Sequence, residues 1–454
     1  MRILHISTRL ILGGSQENTL LSCEGQARLG HEVHLAFGPI YGPEGSLLAR
    51  VEAFNARCVR GGERVRAVGS AACVRPAGEA VYPITTHVLP RMVREVHPYY
   101  DHVCFHNELR PLMKRIAPGV VHTHSSKAGV LGRWAAWKEL RTSAAIIHTI
   151  HGPPFMPVPT AGEAGAIGRA KVRVSNFGYT VAERFAASRC HRIVSVADAM
   201  TAEFLSRGIG TPGLYTTVRS GMETAPFLSA APGETRDAVR GVLGFSHDDF
   251  VVGTVARLAQ HKGHDDLLDA LGGALREDPR LKLLWVGDGW LKEGLLSRAR
   301  GMGLAVREAR ETPRGEAKPD GAVQIVVTGL LPPERIPSMM RAMDVLAHPS
   351  YREGLPRTVP QALLCGVPVV AYDCDGTREA CIDVMREPER GTGRLVTVGD
   401  RDGLREAVLW MRDHPEARAA MGQRGRAMCA EMFDAEVMVA RLEEVYRQAA
   451  PSRP

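Results

Sequence analysis

Arg257 and Lys262 stand five residues apart, where the apolar run ending in Val255-Ala256 gives way to Lys262-Gly263 and a helical pattern. Two cations at a strand end, beside the free N–H groups of a helix start, suit a diphosphate. The glycine loop of a Walker A sequence is missing, so Lys262 is not a P-loop lysine. Two solvated cations on a plain turn would share this spacing.

A second candidate is Leu12-Gly13-Gly14-Ser15-Gln16-Glu17. Paired glycines let backbone approach a ligand closely, and the helix start behind them offers N–H groups to an anion. The pattern is not GxGxxG, and an ordinary strand–helix turn also reads this way. A third is a set of histidines at strand ends: His122 and His124 in one run, His148 and His151 in the next. Backbone-bonded core histidines are the plain reading for His122 and His148. No HExxH or carboxylate partner supports a metal there, so none is expected. His151, followed by Gly152-Pro153-Pro154, stands on a stiff loop at a strand end, where a polar group is placed to act.

The last group is His348-Pro349-Ser350-Tyr351-Arg352-Glu353-Gly354-Leu355-Pro356, with Gln361 beyond it. A carboxylate on a Gly/Pro-rich loop suits hydrogen bonds from sugar hydroxyls. Asp373-Cys374-Asp375 has the form of a metal-binding DxD, but turn chemistry explains it equally.

These residues need strand ends to carry them. Short apolar runs alternate with helical patterns, as in α/β proteins. Strands are expected at Arg2–Ile6, Glu32–Phe37, Val120–His124, Ala145–Ile150 and Arg192–Val196. A second series runs Phe250–Ala256, Leu281–Val286, Val323–Thr328, Val345–Ala347 and Val367–Ala371. Helices are expected at Gln16–Leu29, Lys127–Leu140, Ala197–Ser206, His264–Ala274, Pro332–Ala342 and Ala435–Gln448. Two runs of βα units imply two doubly wound parallel sheets. The linker reads at Ser220–Phe227. Domains are therefore expected over 1–220 and 221–434, with the end of the chain, about 435–454, returning to the first. Residues 61–80 and 305–322 read as surface insertions.

Length and composition agree. A chain of 454 residues, 44% hydrophobic and 24% charged, fits two or three globular domains and excludes collagen, disorder and disulfide scaffolds. Nine cysteines without CxxC pairing suit free thiols in a reducing compartment, so a cytoplasmic protein is expected. The start, MRILHIS, reads as a strand rather than a leader, and no apolar run is long enough to span a membrane. Residues 1–220 hold 26 Lys+Arg against 15 Asp+Glu, while the remainder holds 31 against 35. A basic first half fits an anionic acceptor or an anionic bilayer surface, and fits a solvated basic face equally well.

Together the motifs resemble glycosyltransferase family 4. The matching segments are GGSQENTL, VHTHSSKAGVLGR, HTIHGPPF, VARLAQHKG, LWVGDG, VVTGLLPPERIPSMMRAMDVLAHPSYREGLPR and CGVPVVAYDCDGTRE. Their order and spacing span nearly the whole chain. The resemblance implies an α/β GT-B fold, two Rossmann-like domains facing a central cleft, and transfer of a sugar from a nucleotide-diphosphate sugar with retention. No metal or other cofactor and no nucleic acid is implied. The acceptor is unidentified; an anionic or lipid-linked one, reached from the inner membrane face, would suit the charge. By resemblance, Arg257 and Lys262 clamp the donor diphosphate and Gly13 and Gly14 form the N-terminal glycine loop. His151 sits beside the transferred sugar. Glu353, with Gly354 and Leu355, opens the Glu-x7-Glu motif that contacts sugar hydroxyls. Glu379 matches a later acidic position after the Gly-rich turn. The second glutamate of that motif, which holds the ribose, is Gln361 here. The change weakens or alters donor selection.

Three rivals follow. A non-catalytic nucleotide-sugar binding protein would share the fold, and Gln361 favours it. An epimerase of the same fold would place other ionisable groups at the glycosyl site. An NAD oxidoreductase would need an acidic ribose anchor after the second strand, but that strand ends Leu35-Ala36-Phe37-Gly38.

Overall fold

The computed structural model of the chain describes residues 1–40, 45–66, 77–155, 165–309 and 323–450. Two compact units divide it: Met1–Met222 with Ala435–Pro454, and Glu223–Asp434.

The first unit carries β1 (Arg2–Ser7), β2 (Glu32–Phe37), β3 (Thr85–Val88), β4 (Val120–His124), β5 (Ala145–Ile150), β6 (Arg192–Ser195) and β7 (Tyr215–Thr217). They form one parallel sheet ordered β3-β2-β1-β4-β5-β6-β7. The second unit carries β8 (Phe250–Val255), β9 (Leu281–Val286), β10 (Val306–Glu308), β11 (Ile325–Val327), β12 (Val345–His348), β13 (Val369–Tyr372) and β14 (Gly393–Val396). Its parallel order is β10-β11-β9-β8-β12-β13-β14. Both are doubly wound Rossmann-like sheets, as the alternation of apolar runs and helical patterns implied.

Four strands escape the sequence reading: β3, β7, β10 and β14. They are the four sheet edges. An inner parallel strand is covered on both faces and reads as a continuous apolar run. β5 (AIIHTI) and β9 (LKLLWV) are buried throughout. Edge strands need no such run: β3 is Thr-Thr-His-Val and β10 is Val-Arg-Glu, neither with a buried residue. The insertion expected at 305–322 therefore begins as a strand; its residues 310–322, and 67–76 of the other insertion, lie outside the described part. The helix expected at Pro332–Ala342 opens as a 3-10 turn, Pro333–Arg335, before Ile336–Arg341 becomes α-helical.

The last helix, Ala435–Ala449, belongs to the first unit. Met438, Val439, Leu442, Val445 and Tyr446 pack on Ile3 of β1, Val120 of β4 and Ala145 and Ile147 of β5. No helix among the described residues is long and apolar enough to cross a membrane.

Candidate active site

In the first unit the strand order reverses between β1 and β4, the place where open α/β sheets bind ligands. Both strands are buried there, yet they carry polar rings: His5 pairs in register with His122, and His124 with Thr149 of β5. A run of hydrogen bonds joins them. His5 Nε2 lies 2.7 Å from Gln26 Oε1, His5 Nδ1 lies 2.9 Å from His124 Nε2, and His124 Nδ1 lies 3.1 Å from His151 Nε2. A branch leads from Gln26 Nε2 to the Tyr446 hydroxyl at 2.9 Å. From there it reaches His122 Nδ1 at 2.6 Å, and His122 Nε2 lies 2.6 Å from Thr149 Oγ1.

The polarity of this run follows from Gln26. With its Nε2 assigned as donor to Tyr446, its oxygen accepts from His5 Nε2. His5 Nδ1 then accepts from His124 Nε2, and His124 Nδ1 accepts from His151 Nε2. His151 is left with Nδ1 as its acceptor nitrogen. Burial lowers the pKa of His5 to about 4, against the hydrogen bond it donates to Gln26, which raises it. Burial, then the neighbouring imidazoles, hold His122 and His124 well below the ordinary histidine value. The inner rings are therefore neutral at physiological pH.

His5, His122 and His124 bring their nitrogens close enough to surround a metal ion. All six ring nitrogens are nevertheless engaged by Gln26, Tyr446, Thr149, His151 and one another. A metal would have to displace several of these bonds, so the donor set does not fit one. His148 also has a core role, its Nδ1 lying 3.1 Å from the Thr123 carbonyl. His122 differs from the backbone-bonded reading, because its partners are side chains.

His151 directly follows β5 and is half-buried. Gly13 is the extended N-cap of the helix Gly14–Arg28, and it and Gly14 are exposed. The sequence reading missed two further residues here. Ser125 follows β4 with φ of 62°, an uncommon conformation for a side-chain-bearing residue, and its hydroxyl bonds Thr8 Oγ1 at 2.7 Å. The signal was available: polar residues directly follow both strands at the reversal.

In the second unit the reversal lies between β8 and β12. Arg257 follows β8, exposed, with its guanidinium 5.9 Å from the Trp290 ring centre. Lys262 ends a 3-10 turn, Gln260–Lys262, and Gly263 follows at φ of 68°. A Cβ on Gly263 would lie 2.0 Å from the Pro349 carbonyl oxygen, so only glycine lets the two loops meet. The Tyr351 N–H completes the contact, donating to the His261 carbonyl at 2.9 Å. This approach places Lys262 Nζ on the Glu353 carboxylate as an ion pair.

Glu353 is held from three sides. Lys262 contacts its Oε1, His348 Nε2 lies 3.2 Å from the same oxygen, and its own backbone N–H donates to Asp375 at 2.7 Å. Burial alone would raise its pKa. The His348 ring and the Lys262 charge outweigh burial and hold the carboxyl well below its usual range. Asp375, at φ of 43°, therefore serves loop geometry. Asp373 pairs with Arg378 at 2.9 Å. The turn reading of Asp373-Cys374-Asp375 thus has partners for both carboxylates. Gly354 is half-buried and Leu355 buried, in the loop that leads to the helix Thr358–Leu364. Gln361 sits on that helix and Glu379 on the short helix Thr377–Ala380, both half-buried. His348 and Trp290 went unassigned in the sequence, and Asp375 was read there only as a turn or metal-type carboxylate, not as the acceptor of the Glu353 N–H. An exposed tryptophan just after a Gly-Asp-Gly strand end was the available signal for the last.

Comparison with known proteins covers both units. Residues 13–220 match a family described as "Glycosyl transferase 4-like domain", and residues 235–428 match "Glycosyl transferases group 1". One relative is the GDP-mannose-dependent monoacylated alpha-(1-6)-phosphatidylinositol monomannoside mannosyltransferase of Corynebacterium glutamicum. It is 28% identical over 301 residues, 63% of this chain and 72% of that protein. Another is the D-inositol 3-phosphate glycosyltransferase of Saccharomonospora viridis, 28% identical over 334 residues, 73% of this chain and 70% of that one. Among solved structures, Anabaena Alr3699/HepE in complex with UDP matches with a TM-score of 0.68 at 18% identity, covering 99% of this chain and all of that chain, 100%. Sucrose-phosphate synthase from Thermosynechococcus elongatus matches with a TM-score of 0.70 at 17% identity, over 99% and 98% of the two chains.

Proposed function

The chain belongs to glycosyltransferase family 4, with the GT-B fold and a nucleotide sugar as donor, and from that premise we propose that it transfers the sugar with retention to an anionic or lipid-linked acceptor without a metal. The observation that carries the donor assignment is the Lys262–Glu353 pair. Two adjacent strand ends, those of β8 and β12, present a cation for a diphosphate and an ionised carboxylate for sugar hydroxyls, held together by the close approach at Gly263.

In this reading Arg257 and Lys262 bind the donor diphosphate and stabilise the charge that collects on it as the bond from the sugar C1 to the phosphate oxygen breaks. Glu353 orients the sugar through its hydroxyls, with Gly354 and Leu355 offering backbone groups. Gln361 accepts from the ribose hydroxyls, and Glu379 supports the same loop cluster. In the first unit, Gly13 starts a helix whose terminus suits an anion, and His151, in a fixed tautomer, positions the acceptor. The acceptor oxygen forms the new bond to C1 on the face the phosphate leaves, and its proton passes to the departing phosphate oxygen.

The basic first half, and the phosphatidylinositol monomannoside and inositol 3-phosphate in the names of two relatives, support an anionic acceptor. Gln361 supports a second reading, a catalytically weak or non-catalytic nucleotide-sugar binding protein. A thermal-shift screen with UDP-, GDP- and ADP-sugars names the donor, because a ligand of the folded state raises its stability. Turnover of that donor with phosphatidylinositol or inositol phosphate, unchanged by excess EDTA, is the expected outcome. Binding without turnover on any acceptor favours the second reading, and loss of activity in EDTA contradicts the metal-free route.

A further inference from the structure

The helix Ala166–Ala187 in the first unit is built inside out. Its buried residues include Asn176 and Glu183, while its exposed residues include Ile167, Val174, Phe177, Val181 and Phe185. Ile167 is 87% exposed, Val174 72% and Phe177 71%. Steps of seven, three, four and four residues put these five side chains on one stripe of the helix. A surface helix of a globular protein turns such a stripe inward, against the core. Here a buried ion pair seats the opposite face instead: Glu183 Oε2 meets Arg133 Nη2 at 2.6 Å.

The charge around the stripe has one sign. At 100° per residue, Arg173 and Arg184 fall on one flank of the apolar arc and Lys171 on the other, all three exposed. Arg189 lies beyond the helix end with its guanidinium 3.6 Å from the Phe185 ring centre. The helix contains one acidic residue, Glu183, and Arg133 neutralises it in the interior. An apolar stripe between basic flanks matches the interface of an anionic bilayer, where side chains enter the acyl boundary and cations meet headgroup phosphates. Self-pairing through the same face would set its basic flanks against one another across a two-fold axis, which disfavours a second copy as occupant.

We propose that the helix Ala166–Ala187 lies flat on anionic lipid through Ile167, Val174, Phe177 and Val181 and so seats the protein at a membrane surface. The inference is independent of the donor chemistry.

Co-sedimentation with phosphatidylcholine vesicles, with and without 30% phosphatidylglycerol, tests it on the full chain. Wild-type protein is expected to bind the anionic vesicles, and to lose most of that binding between 0.05 and about 0.5 M salt as charges are screened. Val174→Asp/Phe177→Asp is expected to lower binding at least ten-fold. Lys171→Glu/Arg173→Glu should abolish the preference for anionic lipid. Circular dichroism and the donor thermal shift should match wild type in both, so loss of lipid binding is separable from misfolding or failure of the donor assignment. Equal binding by wild type and the Val174/Phe177 variant overturns the proposal. So does wild-type protein that stays in the supernatant, or a solution dimer that the same variant dissociates, which would assign the face to a second copy.

Discussion

Lys262 and Glu353 stand 91 positions apart in the chain and form an ion pair at the carboxyl end of the second sheet. Each depends on the other, because their side chains are only 19% and 14% exposed. Lys262→Met should cost about 2–4 kcal/mol of stability, since it strands a carboxylate in a low-dielectric site. Lys262→Met/Glu353→Leu should recover most of that loss. The pair's contribution is present above pH 4.5, the ordinary glutamate value, and declines as pH falls below it, because the folded carboxyl has the depressed pKa. Denaturant unfolding of the three proteins at pH 7 checks this; a neutral single variant means the two charges do not meet in solution.

The histidine run gives the first unit a separate acid sensitivity. An unfolded histidine titrates near 6.5, whereas His5 titrates near 4 when folded and His122, His124 and His148 are held well below the ordinary value, chiefly by burial. Between these values the unfolded chain binds protons that the folded chain refuses, so stability falls as pH falls from 6.5 toward 4. Each such ring contributes about 1.4 kcal/mol per pH unit across that window. Unfolding free energies measured from pH 7 to pH 5 should show this slope, and His148→Gln should reduce it by about one proton. An unchanged slope in that variant would mean that His148 is already charged in the folded protein.

Gln361 replaces the carboxylate that the family pattern places on this helix. An ionised acceptor makes shorter and stronger bonds to ribose hydroxyls. Gln361→Glu should lower the donor KM several-fold with kcat little changed, the signature of added uniform binding. A raised KM would mean that the new charge meets Glu353 or Glu379. Unchanged kinetics would remove Gln361 from the ribose altogether.

Both sheets were legible in the sequence wherever strands are inner strands, because double-sided burial forces apolar runs such as Leu281–Val286. The edges β3, β7, β10 and β14 were not, because a half-wet strand tolerates Thr, His, Arg and Glu. For the site, residue type and spacing singled out Lys262 and Glu353 separately. Their contact depends on a glycine with φ of 68° and a cross-loop backbone bond, which no local pattern encodes. In the sequence, His5 is one polar residue in an apolar strand. Its partnership with His124 follows from the parallel register of β1 and β4, a long-range fact. The helix Ala166–Ala187 was not among those expected from the sequence, and periodicity alone shows an apolar face but not which way it turns.

The central claim is that Arg257 and Lys262 hold the donor through its diphosphate. Calorimetric titration of UDP-glucose, GDP-mannose and ADP-glucose into wild type, Arg257→Ala and Lys262→Ala tests it most directly, with the matching nucleoside monophosphate as control. One nucleotide sugar is expected to bind wild type, and each variant should weaken it ten-fold or more, about 1.4 kcal/mol. The monophosphate, which lacks the second phosphate, should lose much less. Variants that bind the nucleotide sugar as tightly as wild type, or that lose the monophosphate equally, would contradict the assignment.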